Sequence, residues 1–144
     1  MHLAGTGPLT GRDILDAKTR LLRAPDRLKG LHYGLIDVTD VTELSITRDD
    51  VLEFVQVDMQ IALIVPRPLA VAIVAPSDLA FGIARMWEAF AEVTRWNTHV
   101  FRSRAEADPW LRPWVEGRLP AEPPPLTLSR GGGQPAGWKA SRPR

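Results

Sequence analysis

The chain has 144 residues, of which 44% are hydrophobic, enough for one domain with a hydrophobic core and too few for two. Lysine and arginine total 18 and aspartate and glutamate total 17, so the formal net charge of +1 argues against the basic surface of a nucleic-acid-binding protein. The absence of cysteine excludes disulfides, thiolate metal sites and a cysteine nucleophile.

No targeting or membrane-spanning segment is predicted. The N-terminal stretch MHLAGTGPLTG lacks the basic and apolar regions of a secretory signal. The longest apolar tract, IALIVPRPLAVAIVAP, is interrupted by Pro66, Arg67 and Pro68 and is unsuited to a spanning helix. We therefore expect a soluble protein located in the cytoplasm.

Strands and helices alternate from the start of the chain. The stretch HLAGTG predicts a short first strand, and Thr10 with Asp13 has the capping-box spacing that begins a helix. The run YGLIDV over 33–38 predicts the next strand. It is apolar on consecutive positions, as expected for a strand that is covered on both faces.

The same alternation continues through the following residues, with serine or threonine caps at helix starts and branched or aromatic runs as strands. The helices begin at Thr47 with Asp50, at Ser77, and at Ser103 with Glu106. The strands are LAVAIVA over 69–75 and THVFR over 98–102. The last helix is expected to end around Trp110 and Leu111. This order predicts an α/β fold, with a small mixed, mostly parallel sheet covered by helices.

The composition changes near Pro113. The segment GRLPAEPPPLTLSRGGGQPAGWKASRPR is rich in proline and glycine and cannot bury enough apolar surface to fold alone. We therefore predict one folded domain over 1–113 and a flexible tail over 114–144.

Three stretches resemble the signature blocks of a known family: GLIDVTDVTELS, LAVAIVAPSDLAFGIARMWEAF and HVFRSRAEADPWL. In this order they look like the SpoIIAA-like family, whose fold is related to STAS domains and described as CRAL-TRIO-like. The similarity spans about residues 5–112. It implies a mostly parallel sheet with packed helices, binding of an apolar or lipid-like ligand, sometimes with membrane association, and no established enzyme activity.

The stretch FGIARMWEAF contains two residues that lie away from the core side of their helix. At about 100° per residue, Trp87 and Phe90 fall on the apolar side, whereas Phe81 and Arg85 fall opposite. Arg85 follows Phe81 by one turn, so its guanidinium can cover the ring and can also pair with Glu88. Phe81 and Arg85 are predicted to pack against the protein's own loops or to form a patch that meets a partner subunit or a lipid headgroup.

The helix over 48–62 is a candidate flap. The prolines of the following IVPRPL loop stop this helix and leave apolar side chains beside it. If the helix moved away from the sheet, a cleft lined by Val51, Val55 and Met59 would open for an apolar ligand. The alternative is that the helix packs permanently on the sheet.

The segment DVTDVTELSITR corresponds to the stretch that is phosphorylated in STAS regulators of anti-sigma factors. Ile46 takes the position of the switching serine and is flanked by Ser45 and Thr47. Phosphate at Thr47 would place negative charge near a helix start but would remove the helix cap. A cap is therefore the favoured role of Thr47, and phosphorylation of Ser45 or Thr47 is the alternative.

Patterns for catalysis or metal binding are weak. His2, His32 and His99 are isolated from other metal-binding residues, so no metal or cofactor is predicted. Ligands of open α/β sheets gather beyond the carboxyl ends of the strands, where Asp37 and Arg102 are expected. Asp37 is the best candidate for a polar site residue.

The predicted function is therefore not enzymatic. We expect binding of an apolar small molecule or lipid, peripheral contact with a membrane surface, or contact with a protein partner, including a second copy of the chain. The alternative is a STAS-type regulator controlled by partner binding or phosphorylation.

Overall fold

Four parallel strands form the sheet of this protein, for which the computed structural model describes residues 1–65 and 69–118. The strands lie side by side in the order β1, β2, β3, β4, and each neighbouring pair is parallel. They are β1 (His2–Thr10), β2 (Tyr33–Ser45), β3 (Ala70–Val74) and β4 (Asn97–Phe101). The predicted α/β class and mostly parallel sheet are confirmed, and no antiparallel pair occurs among the described strands.

Helices cover both faces of the sheet. They are α1 (Gly11–Leu22), α2 (Pro25–Lys29), α3 (Arg48–Ala62), α4 (Asp78–Phe90), which continues into a 3₁₀ turn (Ala91–Thr94), and α5 (Arg104–Val115). Residues of α1, α3 and α4 share one apolar core with Val71 and Ile73 of β3. Ala70, Ala72 and Val74 point to the other face, where they pack with α5. Every residue of β3 is buried, as predicted for a strand covered on both faces.

Local capping explains where the helices begin. The Thr10 and Thr47 hydroxyls accept from the backbone amides of Asp13 and Asp50, and both capping boxes are complete. Ser77 accepts in the same way at the start of α4. Ser103 caps α5, but the Glu106 carboxylate accepts from the backbone N–H of Arg102 instead of closing a box. The predicted helix starts are therefore confirmed.

Three predicted ends were too early. The first strand was expected over HLAGTG but continues to Thr10. β2 was expected to stop at residue 38 but continues to Ser45, because β1 pairs with it as far as Thr10 opposite Ser45. α5 was expected to end around Trp110 and Leu111 but continues to Val115. Trp114 is buried in the core beneath α5, so the packed region extends past the predicted boundary at residue 113. The rest of the predicted tail, 119–144, lies outside the described residues, as do Pro66, Arg67 and Pro68.

Gly11 is a close contact point between the starts of α1 and α3. It is buried, and a Cβ atom added there would overlap the carboxyl group of Asp50. We expect Gly11→Ala to displace Asp50 from its capping box and to lower the free energy of unfolding by about 1–2 kcal/mol. Urea denaturation measures this change.

A matched control for Gly11→Ala is Gly82→Ala. Gly82 lies inside α4, and a Cβ atom there would meet no neighbouring atom. The same substitution is expected to stabilise the protein by about 0.5–1 kcal/mol, because alanine restricts the unfolded chain. Equal stability changes in the two variants would contradict the contact assigned to Gly11.

Candidate ligand-binding cavity

An apolar cavity of about 270 Å³ lies between the sheet and the layer formed by α1, α3 and α4. Its walls are mainly branched and aromatic side chains from both layers. The sheet contributes Ile36, Val38, Val71 and Ile73, and the helices contribute Ile14, Leu21, Val51, Phe54, Ile61, Ile83 and Trp87. Well-packed protein interiors contain few voids larger than a water molecule. A space of this size is therefore an unusual feature of so small a domain.

The cavity reaches the surface beside the first strand. Leu3 of β1 lines it and is 43% exposed, and the exposed side chain of Asp13 lies at the start of α1 on the same side. The rest of the lining is divided between buried residues of the core shared by the three helices and partly buried residues packed against that core. An apolar molecule can therefore approach between β1 and α1.

One polar cluster interrupts the apolar wall. Asp58 of α3 is 1% exposed, and one of its carboxylate oxygens accepts from the Lys18 ammonium of α1 at 2.6 Å. The other oxygen accepts from the indole Nε1–H of Trp87 in α4 at 2.8 Å. We call these three residues the Lys18–Asp58–Trp87 cluster. It joins the three helices that cover the cavity.

Aromatic rings also surround the Lys18 ammonium. Its Nζ lies 5.5 Å from the ring centroid of Trp87 and 6.0 Å from that of Phe54, within the range of cation–π attraction. The Lys18 side chain is 16% exposed, so its charge is nearer to solvent than that of Asp58. The charges of Lys18 and Asp58 cancel each other at this point of the cavity wall.

This cluster was missed by the sequence analysis, although the sequence carries a signal for it. Asp58 lies seven residues after Val51, within the apolar stripe of its helix. Lys18 lies four residues after Ile14 and three before Leu21, within the stripe of α1. Opposite charges inside the apolar stripes of two helices are the pattern expected of a buried ion pair.

The predicted cleft residues of α3 fall in three different places. Val51 lines the cavity, whereas Val55 is buried in the core beside it and is not part of the lining. Met59 is 50% exposed and also lies outside the lining. The expectation that Met59 faces the sheet is therefore wrong, because the inward position of that turn of α3 is taken by Asp58.

Phe81 is covered by a different arginine from the one predicted. The guanidinium carbon of Arg102 lies 4.0 Å from the ring centroid of Phe81. Arg85 instead pairs with Glu88 at 3.1 Å, as predicted. Phe81 is half-buried and packs against the main core, so its coverage comes from the protein's own residues. The sequence could not show this contact, because Arg102 follows β4 and is distant from Phe81 along the chain.

The polar residues at the carboxyl end of the sheet form two separate groups. One carboxylate oxygen of Asp37 accepts from the backbone N–H of Thr39 at 2.9 Å. The other carboxylate oxygen lies 3.9 Å from Nη1 of Arg104. Arg102 pairs with Asp78 at 2.8 Å. Asp37 and Arg102, which were expected at this edge, are therefore held by different partners. No group of three histidine, aspartate or glutamate side chains suited to a metal ion occurs in the described part of the chain.

The two residues considered for phosphorylation lie at the junction of β2 and α3. Ser45 is the exposed last residue of β2. The Thr47 hydroxyl accepts from the backbone amide of Asp50 at 3.1 Å, which confirms its predicted role as a helix cap. Phosphorylation of either residue stays a prediction.

Comparison with protein-family models, curated proteins and solved structures gave no match to this chain. The SpoIIAA-like resemblance therefore stays a prediction. Across residues 1–65 and 69–118, none of the helices combines the length and the apolar character needed to cross a lipid bilayer.

Proposed function

We propose that this protein binds an apolar small molecule in the cavity between the sheet and helices α1, α3 and α4. The observation that supports this proposal most directly is an apolar space of about 270 Å³ inside a small domain. The cavity opens to the surface beside β1, so an apolar molecule that fills it would remove apolar lining from water. Burial of apolar surface is favourable roughly in proportion to the area covered, so the hydrophobic effect would drive the binding of an apolar molecule here.

The volume limits the size of the ligand. A cavity of roughly 150 Å³ holds one benzene molecule, so 270 Å³ accommodates about ten non-hydrogen atoms. This is a fragment-sized molecule, at the lower limit of ordinary ligand pockets. A complete two-chain lipid is too large for this space, whereas a medium-length alkyl chain or a small aromatic molecule fits.

Titration with n-butylbenzene and naphthalene tests the proposal. The protein is first freed of co-purified molecules by unfolding, extraction and refolding, and binding is followed through the indole N–H signals in NMR spectra. Trp87 and Trp96 line the cavity, whereas Trp110 and Trp114 belong to the core under α5. We expect saturable shifts of the Trp87 and Trp96 signals and little change in those of Trp110 and Trp114; the fifth indole, Trp138, lies outside the described residues and is not used as a readout.

Two alanine-to-leucine variants locate the binding site. Ala84 lines the cavity and is buried, so Ala84→Leu is expected to fill part of the space and to weaken binding at least tenfold. Ala89 is exposed on the same helix, and Ala89→Leu is expected to bind as the unchanged protein does. If Ala84→Leu does not fold, Ala17→Leu from α1 replaces it. Equal binding by both leucine variants, or no binding by the unchanged protein, would contradict the proposal.

A further inference from the structure

The polar cluster in the cavity wall bears on which ligands the cavity accepts. Both oxygens of the Asp58 carboxylate already accept hydrogen bonds, one from Lys18 and one from Trp87. The Lys18 ammonium has three N–H donors, and Asp58 is its one carboxylate partner among the described residues. Its other donors can therefore bind an acceptor carried by a ligand.

The charge of the cluster limits the kind of acceptor. Lys18 and Asp58 neutralise each other, so an incoming carboxylate would add a second negative charge close to Asp58 inside an apolar space. An incoming ammonium would be repelled by the like charge of Lys18, and it would have to share the Asp58 carboxylate with Lys18 and Trp87. A neutral hydroxyl or carbonyl oxygen adds no charge and accepts a charge-assisted hydrogen bond from Lys18.

We infer that the cavity selects a neutral, medium-length apolar molecule with a hydrogen-bond acceptor at one end, such as an alcohol, aldehyde, ketone or ester, and that Lys18 binds this acceptor. This inference rests on the proposed function. It adds the chemical class of the ligand and the residue that recognises it.

Four ligands of matched size test the selection at neutral pH: decane, 1-nonanol, octanoate and nonylammonium. We expect the unchanged protein to bind 1-nonanol at least tenfold more tightly than octanoate or nonylammonium. Tighter binding of octanoate would overturn the inference while leaving the proposed function intact. Failure of both decane and 1-nonanol to bind would instead contradict the proposed function itself.

A change of the cavity charge tests the role of Lys18. Asp58→Asn keeps an acceptor for the Trp87 indole and leaves Lys18 without its counter-ion. We expect octanoate to bind at least tenfold more tightly to this variant than to the unchanged protein, because the ligand then supplies the missing carboxylate. Decane is titrated in parallel, and the ratio of octanoate affinity to decane affinity is the readout, because decane carries no charge and reports any change in the shape of the cavity. Unchanged octanoate affinity in a folded Asp58→Asn variant would overturn the inference.

A second variant covers the case in which Asp58→Asn is too unstable to measure. Lys18→Met combined with Asp58→Asn removes both charges. We expect it to bind decane as the unchanged protein does and 1-nonanol several-fold more weakly. Undiminished 1-nonanol affinity would show that Lys18 does not bind the acceptor.

Discussion

Lys18→Met is expected to lower the free energy of unfolding by about 3–5 kcal/mol. The substitution nearly preserves the apolar stem of the side chain and removes its charge. It leaves the Asp58 carboxylate, which is 1% exposed, without a cation in the core. Urea denaturation followed by circular dichroism measures the loss.

The partner variant gives the control for this prediction. Asp58→Asn is expected to cost less, about 1–3 kcal/mol, because the Lys18 stem can extend its ammonium toward solvent and the amide oxygen still accepts from Trp87. The double variant is expected to be more stable than Lys18→Met alone, because it contains no unpaired buried charge. A loss of less than about 1 kcal/mol in Lys18→Met would contradict the assignment of a buried, desolvated pair.

Trp114→Ala is expected to lower the free energy of unfolding by about 3–5 kcal/mol. Trp114 is 6% exposed and packs in the core between α5 and the sheet, together with Leu111 and residues of β3. Its removal leaves a large cavity in a small apolar cluster. Thermal or urea unfolding of the full chain measures the effect.

Val115→Ala is the matched control for Trp114→Ala. Val115 is the next residue of α5 and is 54% exposed, so its truncation is expected to change stability by no more than about 0.5 kcal/mol. A chain that ends at residue 113 is likewise expected to be much less stable than one that ends at residue 118. Similar stability of these two shortened chains would contradict the packing of α5 described above.

The parts of the fold that depend on local sequence could be predicted. Capping pairs such as Thr10 with Asp13 act within one helical turn, and the apolar run of β3 reflects burial on both faces. The end of β2 was missed because residues 39–45 are mostly polar and none of them is buried, whereas the structure pairs them with β1. The end of α5 was missed because Pro109 and Pro113 lie inside the helix, where proline normally indicates a break.

The candidate site could be predicted only in outline. The sequence analysis expected a cleft beneath the helix over 48–62 only if that helix moved away from the sheet, whereas the cavity lies against α3 with α3 packed on the sheet. It did not identify Lys18 or Asp58, because a charged residue within an apolar stripe shows its role only when its partner on another helix is known. The contact between Arg102 and Phe81 was missed for the same reason, since the two residues follow different strands of the sheet.

The position of the cavity follows from the path of the chain through the sheet. The described strands are adjacent in the same order in which they occur along the chain. The right-handed connections between them therefore all lie on the same face of the sheet. In doubly wound proteins the strand order reverses partway across the sheet. The two connections at that point lie on opposite faces of the sheet, and the crevice between them binds a cofactor or substrate. This sheet is singly wound over its described strands and lacks that crevice. The apolar cavity lies instead between the sheet and the helices on one of its faces, where it is reached from the side of β1 and not from the carboxyl ends of the strands.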